Sequence, residues 1–313
     1  MSSTMSSPGT VVPTPAQRES GQATMPVRPV IQVGIDKAWR EAGALTWALQ
    51  ESLLRREPLH AVHVVEEDSK RTRYYEPVAT AQGEAELVDD VREWMKLQGE
   101  DLDHEAVLVE GSPAVALATA AEGSRMLVVG RRGMGTFKRL LLGSTSEAVS
   151  NLGQEPVVVV PVGWTAPENH APVVVALDDS NDDEAAVEFA VELAVERNVP
   201  LWLVHVWDLP AVYGWNPAMV MTVESDWTAT ADLHYAAVAK HWRHKYPELE
   251  FQLDVRRGHP VESLLDVTEA VQAQILVLGG HHRRHLSVVL LGSVSRGVLQ
   301  HATCPVAIVP SRS

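Results

Sequence analysis

The chain is 313 residues long, enough at ~100–200 residues per domain for two compact domains, and 45% of it is hydrophobic, enough to pack their cores. Acidic residues outnumber basic ones by 41 to 26 for a net charge of −15, so most of the surface repels a phosphate backbone and a general nucleic-acid binder is excluded. The single cysteine, Cys304, excludes an intramolecular disulfide framework and a cysteine-rich zinc site, and no apolar run approaches the ~18 residues of a membrane span.

Residues 1–27 are rich in Ser, Thr and Pro, with neither a basic nor an apolar leader region, and read as a disordered tail on a cytoplasmic protein. A first domain is expected over 28–163. The run VIQVGI (30–35) predicts a buried strand that ends at Asp36. Ala38, Ala42, Leu45, Leu49 and Leu53 then recur near helical spacing. A strand over 59–65 follows, then a helix near 84–98 with Leu87, Val91, Trp94 and Met95 on one face, and a strand over 105–111. Ser112-Pro113 marks a helix start, with Ser112 as cap and Pro113 in the first helical position. Strand 126–130, a loop, a helix from Ser144 and strand 156–161 complete the unit.

A linker over 164–170 leads to a second domain, 171–313, with the same order of elements. Its strands are expected at 173–178, 201–207, 251–258, 275–279 and 305–310. Helices run through Ala186, Ala190 and Leu193, near 224–245, from Pro260, and before the last strand. The likeness is literal. Leu127, Val128, Gly130, Leu141, Leu142, Gly143, Ser144, Ser146 and Val149 all recur unchanged 149 residues later. Val33-Gly-Ile-Asp36 parallels Val175-Ala-Leu-Asp178, and His63-Val64 parallels His205-Val206, at an offset of 142. The chain is a duplication. Apolar strands separated by helices predict an α/β fold of two tandem doubly wound, Rossmann-like domains. Each has a five-stranded, mostly parallel sheet with helices on both faces. Ligands in such sheets lie beyond the carboxyl ends of the strands, where Asp36, Gly130 and their copies fall.

The first copy carries the spacing Gly130-x2-Gly133-x9-Gly143-Ser144. Glycines after a strand bring backbone N–H groups close to a ligand, and a helix start favours an anion. Ser144-x-x-Glu147 has the spacing of a capping box, and Arg131, Arg132, Lys138 and Arg139 lie in a stretch without acids. A solvated basic loop before a capped helix is the alternative, and duplication of the pattern weighs against it. The P-loop is excluded because Leu142 precedes Gly143-Ser144, and the dinucleotide fingerprint fails because Gly133-Met-Gly135 is followed by Lys138.

Gly-x2-Gly-x9-Gly-Ser after a strand, Asp after the first strand and His-Val closing the second resemble the universal stress protein family, as a tandem pair over about 28–163 and 171–311. The resemblance implies ATP binding. Gly34 and Asp36 would border the adenosine, and Val64 would read adenine through its backbone. Gly130, Gly133, Gly143, Ser144 and Thr145 would hold ribose and phosphates. Arg131, Arg132, Met134, Gly135 and Thr136 would form the surrounding loop, with Mg2+ bridging the phosphates. In the second copy Ala176, Asp178, Val206, Gly279, Gly292, Ser293 and Val294 match. There His282 replaces the second glycine, where a positive φ would strain it. Lys37 stands where the family often has glycine and reaches either phosphate or solvent.

Other features have plainer readings. Asp36 and Asp178 are either ligand contacts or turn caps. His63 and His205 read as satisfied core histidines, and Trp39, Trp47 and Trp94 as packing residues. Tyr213 and Trp215 could cover a base, while His281, His282 and His285 lack the carboxylate or thiolate partners of a metal site. No catalytic elbow or carboxylate pair is evident, so the expected function is a nucleotide-dependent regulator of stress or growth adaptation. A slow ATP-hydrolysing enzyme on the same pocket and an interaction scaffold with vestigial sites stay open. Expected partners are ATP, an unidentified protein and a second copy, as a homodimer through the final strands; the two halves are expected to pair through the same strands. Nucleic acid and membrane are not expected.

Overall fold

A computed structural model of the chain describes residues 29–66, 77–99, 101–132, 142–167, 170–178, 184–208, 217–282 and 289–311. The tail over 1–27, the loop residues Gly133, Met134, Gly135 and Thr136, and also Tyr213, Trp215 and His285, lie outside the described residues. So do the side chains of His281 and His282.

The first half runs β1 (Ile31–Ile35), α1 (Trp39–Ala42), α2 (Ala44–Arg55), β2 (Leu59–Val65), α3 (Pro77–Gln98), β3 (His104–Glu110), α4 (Pro113–Ala120), β4 (Met126–Gly130), α5 (Ser144–Leu152) and β5 (Val157–Val160). The second runs β6 (Val173–Leu177), α6 (Glu184–Arg197), β7 (Leu201–Trp207), α7 (Pro217–Lys245), β8 (Phe251–Arg257), α8 (Pro260–Ala270), β9 (Ile275–His282), β10 (Val289–Leu290), α9 (Ser293–His301) and β11 (Val306–Pro310). The stretch after Asp36 is two helices rather than one. Gly43, at φ +73, ends α1 in the left-handed region and starts α2.

Strands lie in the order β3-β2-β1-β4-β5-β11-β9-β6-β7-β8, with β10 paired to β9. Each half is an all-parallel set of five, apart from the β9–β10 hairpin, and the halves join through antiparallel β5 and β11. Both faces are apolar, as parallel strands require. In β4, Met126 and Val128 belong to the apolar layer that includes α2, α3, α6 and α7, while Leu127 and Val129 belong to the layer that includes α4, α5, α8 and α9. Side chains alternate between these two layers because the strand period is two.

The seam has its own symmetry. Val158 faces Ala307, and these are equivalent positions 149 residues apart; Val157 faces Ile308 and Val159 faces Val306. The pairing of the two halves through their final strands is therefore as expected. The homodimer through those strands is not. β5 is flanked by β4 and β11, and β11 by β5 and β9, so neither has an edge to offer another chain.

A polar clasp crosses the seam on one face. Arg55 of α2 meets Glu196 of α6 at 2.6 Å, and Arg197 of α6 binds Glu51 of α2. Arg125 extends it, reaching Glu57 at 2.7 Å and Glu192 at 3.4 Å. Burial raises the Glu196 carboxyl above its ordinary value, only partly offset by Arg55, Arg125 and Arg197. The hydrogen bond from Arg125 to Glu57 raises the guanidinium's value despite its burial.

Cys304 is buried just before β11, and burial pushes its thiol from 9.0 up to about 11. Iodoacetamide at pH 8 is expected to spare Cys304 in the native chain and to modify it fully in denaturant. Rapid native labelling would contradict the burial. Because the unfolded thiol ionises first, this group withdraws stability as pH rises from 9.0 towards about 11.

Candidate functional site

The strand order reverses at β1/β4 in one half and at β6/β9 in the other, opening a crevice beyond the carboxyl ends at each place. The register pairs Ile35 with His63 and Val33 with Val128, which sets Asp36 level with Val64 on one side and Arg131 on the other. The second half repeats this: Leu177 pairs with His205 and Val175 with Val277, setting Asp178 level with Val206 and Gly280. Gly34 and Ala176 occupy the same place in β1 and β6, and Gly130 and Gly279 lie in the strands across the crevice.

The two flanks of the loop, Arg131 and Gly143, are held together. Arg131 N donates to Val160 O at 2.7 Å, and Gly143 N donates to Arg131 O at 2.8 Å. A Cβ on Gly143 would lie 3.2 Å from Arg131 O, a tight contact that glycine avoids. Ser146 Oγ donates to Gly130 O at 2.6 Å and holds the start of α5 against the strand end. The capping box does not form. Gly143, not Ser144, is the N-cap; α5 has no side-chain cap, and Glu147 turns to Arg296 at 2.8 Å. Ser144 and Thr145 thus stand in an uncapped first turn, where N–H groups lack helical partners. Ser293 and Val294 stand in the equivalent turn of α9 after Gly292, also without a side-chain cap. Among the described residues, a Cβ on Gly292 would meet nothing within 4 Å.

Side chains divide into those that remain at the crevice and those drawn elsewhere. Asp36 Oδ1 accepts from Ala38 N at 2.9 Å, so it does serve as a turn cap. Lys37 remains about half exposed, and its Nζ pairs with Glu84 at 2.6 Å. The Arg131 guanidinium crosses to the second half, donating to Ala302 O at 2.7 Å, and burial then Arg132 lower its ordinary value. Arg132 Nε is buried with no hydrogen-bond partner among the described residues. His282 pairs with Val289 in the hairpin, extended rather than left-handed, so the expected strain at this position is absent.

His63 and His205 are buried and hydrogen-bonded, as core histidines should be. Each donates from Nδ1 to the last carbonyl of the neighbouring strand at 3.0 Å, Ile35 O and Leu177 O respectively. The second ring nitrogen of His63 meets Glu84 at 2.6 Å, whereas His205 stacks on Tyr235 with centroids 4.0 Å apart. Trp39 and Trp47 are buried, and Trp94 meets Trp39 edge-on at 5.5 Å. Sequence patterning gives no sign of Glu84, because a single acid on a helix looks like any solvated one.

Burial opposes ionisation of Glu84, but hydrogen bonds from Lys37 and His63 hold its carboxyl below the ordinary value. Its contribution is therefore present above pH 4.5 and lost as pH falls through the depressed value. Glu84→Gln is expected to flatten the acid limb of a stability-against-pH curve measured by urea unfolding. An unchanged limb would show that the Lys37–Glu84–His63 chain is not held in solution.

The molecule is thus a duplicated doubly wound α/β protein with one crevice per copy. The universal stress protein family model matches residues 29–161 and 170–310. A universal stress protein of Mycolicibacterium smegmatis is 31% identical over 299 residues, covering 90% of this chain and 97% of its own length. One from Mycobacterium tuberculosis is 30% identical over 288 residues, covering 89% of this chain and 96% of its own. A crystal structure of a universal stress protein from Archaeoglobus fulgidus matches the fold with a TM-score of 0.68 at 20% identity, over 90% of this chain and 98% of that one. The chain belongs to the universal stress protein family, with two such domains in tandem. Among the described residues, no helix is long and apolar enough to cross a membrane.

Proposed function

We propose that each half binds one ATP with Mg2+ at its crevice, and that occupancy regulates the protein's engagement of a partner in stress or growth adaptation. The carrying observation is the same three-part juxtaposition in both halves: an aspartate after the first strand, a glycine in the strand across from it (Gly130 ending β4, Gly279 within β9) and an uncapped Gly-Ser helix start. The donor set suits a polyphosphate. First-turn N–H groups of α5 and α9 point where an anion is stabilised, and the buried Arg132 Nε offers a charged donor in the first half. Gly130, Gly133, Gly143, Ser144 and Thr145 would hold ribose and phosphates in the first site, within the loop of Met134, Gly135 and Thr136. Gly279, His282, Gly292, Ser293 and Val294 would serve in the second. Gly34, Asp36 and Val64, with Ala176, Asp178 and Val206, would border adenosine. Arg131 takes part by its backbone alone, since its guanidinium is committed across the seam. Mg2+ supplies charge neutralisation along the phosphates.

Calorimetric titration with ATP and Mg2+ tests this reading. Asp36→Ala and Asp178→Ala are each expected to weaken one of two sites by about 10-fold or more, as loss of a hydrogen bond to a charged group does. Unchanged binding in both variants would remove the aspartates from the site.

A further inference from the structure

The two candidate sites lie in opposite halves, yet each is tied to the helix that opens the other. Arg131 follows Gly130 in the first site, and its carbonyl holds Gly143 N at 2.8 Å. Its Nη1 donates to Ala302 O at 2.7 Å and lies 3.5 Å from Gln300 O. Those carbonyls end α9, whose opposite end is the Gly292–Ser293 turn of the second site. A guanidinium suits this position, because terminal carbonyls lack helical partners and carry the negative end of the dipole. In the reverse direction, Asn151 in the last turn of α5 accepts at Oδ1 from Leu291 N at 2.8 Å. Leu291 directly precedes Gly292, so α5, which opens the first site, also holds the approach to the second.

These ties are products of divergence after duplication. Glu147 and Arg296 occupy equivalent positions 149 residues apart and pair at 2.8 Å; an undiverged duplication would set like charges there. The pair is about half exposed and contributes little energy, so Arg131 and Asn151 are the stronger ties. The counterpart of Arg131 is Gly280, which has no side chain to return the reach.

We infer that the two sites are energetically coupled, with Arg131 and Asn151 as the positioning residues that connect each loop to the other half's helix. This rests on the nucleotide-binding reading. An anion drawn to the first turn of α5 acts on the Arg131–Gly143 closure, and Arg131 transmits that to the far end of α9. Filling the second site acts through Leu291 on Asn151 and α5. Linkage makes the effect reciprocal, and coupling of this kind commonly amounts to about 5-fold or more in affinity.

Gly292→Asp provides the test. Among the described residues nothing obstructs a side chain at Gly292, and its carboxylate opposes phosphate at the second site alone. With ATP and Mg2+ as the probe, this variant is expected to bind one ATP by calorimetry. That single ligand is expected to slow amide hydrogen exchange at Leu299–Ala302, in the distant half, by about 5-fold or more. Adding Arg131→Ala and Asn151→Ala should abolish the response while one ATP still binds. One bound ATP with no change at α9, or a change that survives both alanines, overturns the coupling and leaves the binding. No ATP bound by the wild-type chain overturns both.

Discussion

Replacing Arg197 with leucine is expected to lower the folding free energy by about 3 kcal/mol, because it strips a buried carboxylate of its main partner. The Glu51 and Arg197 side chains retain 6% and 8% exposure, so little water is available to either. Without Arg197, Glu51 keeps Arg55 Nε at 3.5 Å, too long for a strong charge-assisted bond. Taking out both charges, as Glu51→Leu with Arg197→Leu, is expected to recover most of the loss, since the desolvation cost disappears with the pair. Urea unfolding of the two single variants and the double variant gives the coupling energy directly. A single variant within about 0.5 kcal/mol of wild type, the usual range for surface changes, would show that water reaches this clasp.

Val158→Asp should be more damaging still. Val158 is fully buried at the centre of the seam, facing Ala307 within an apolar cluster. A carboxylate there must be neutralised or left unpaired, at an expected cost of more than about 4 kcal/mol. Val158→Ala, which leaves only a small void, should cost about 2 kcal/mol. Because β5 and β11 join both halves in one sheet, thermal unfolding of the wild type should be a single transition by near- and far-ultraviolet dichroism. If Val158→Asp unfolds at the wild-type midpoint, the seam is not where the halves are held.

Much of this architecture is legible in the sequence. The strands are short apolar runs bounded by turn residues, and the duplicated Gly-Ser spacing locates both crevices. The union of the two sheets through β5 and β11 is expected only from the family resemblance, since Val157–Val160 by itself reads equally well as a central or an edge strand. Two features are not legible. Gly43 lies within a stretch of good helical periodicity, and only its φ of +73 shows the break. The ties through Arg131, Asn151 and Glu147 join residues far apart in the chain, where local patterning carries no information. Arg131 is instructive: in the sequence it is one of four cations beside a glycine loop, and the fold sends its charge across the seam. His282 misleads in the opposite sense, since extended pairing with Val289 removes the strain its position implied.

The central claim, a nucleotide site in each copy, is tested most directly by mass spectrometry of nucleotide released from the natively purified chain after saturation with ATP and Mg2+. The account predicts two ATP per chain, falling to one in Gly292→Asp. No nucleotide under saturating conditions, or two in the variant, would contradict it.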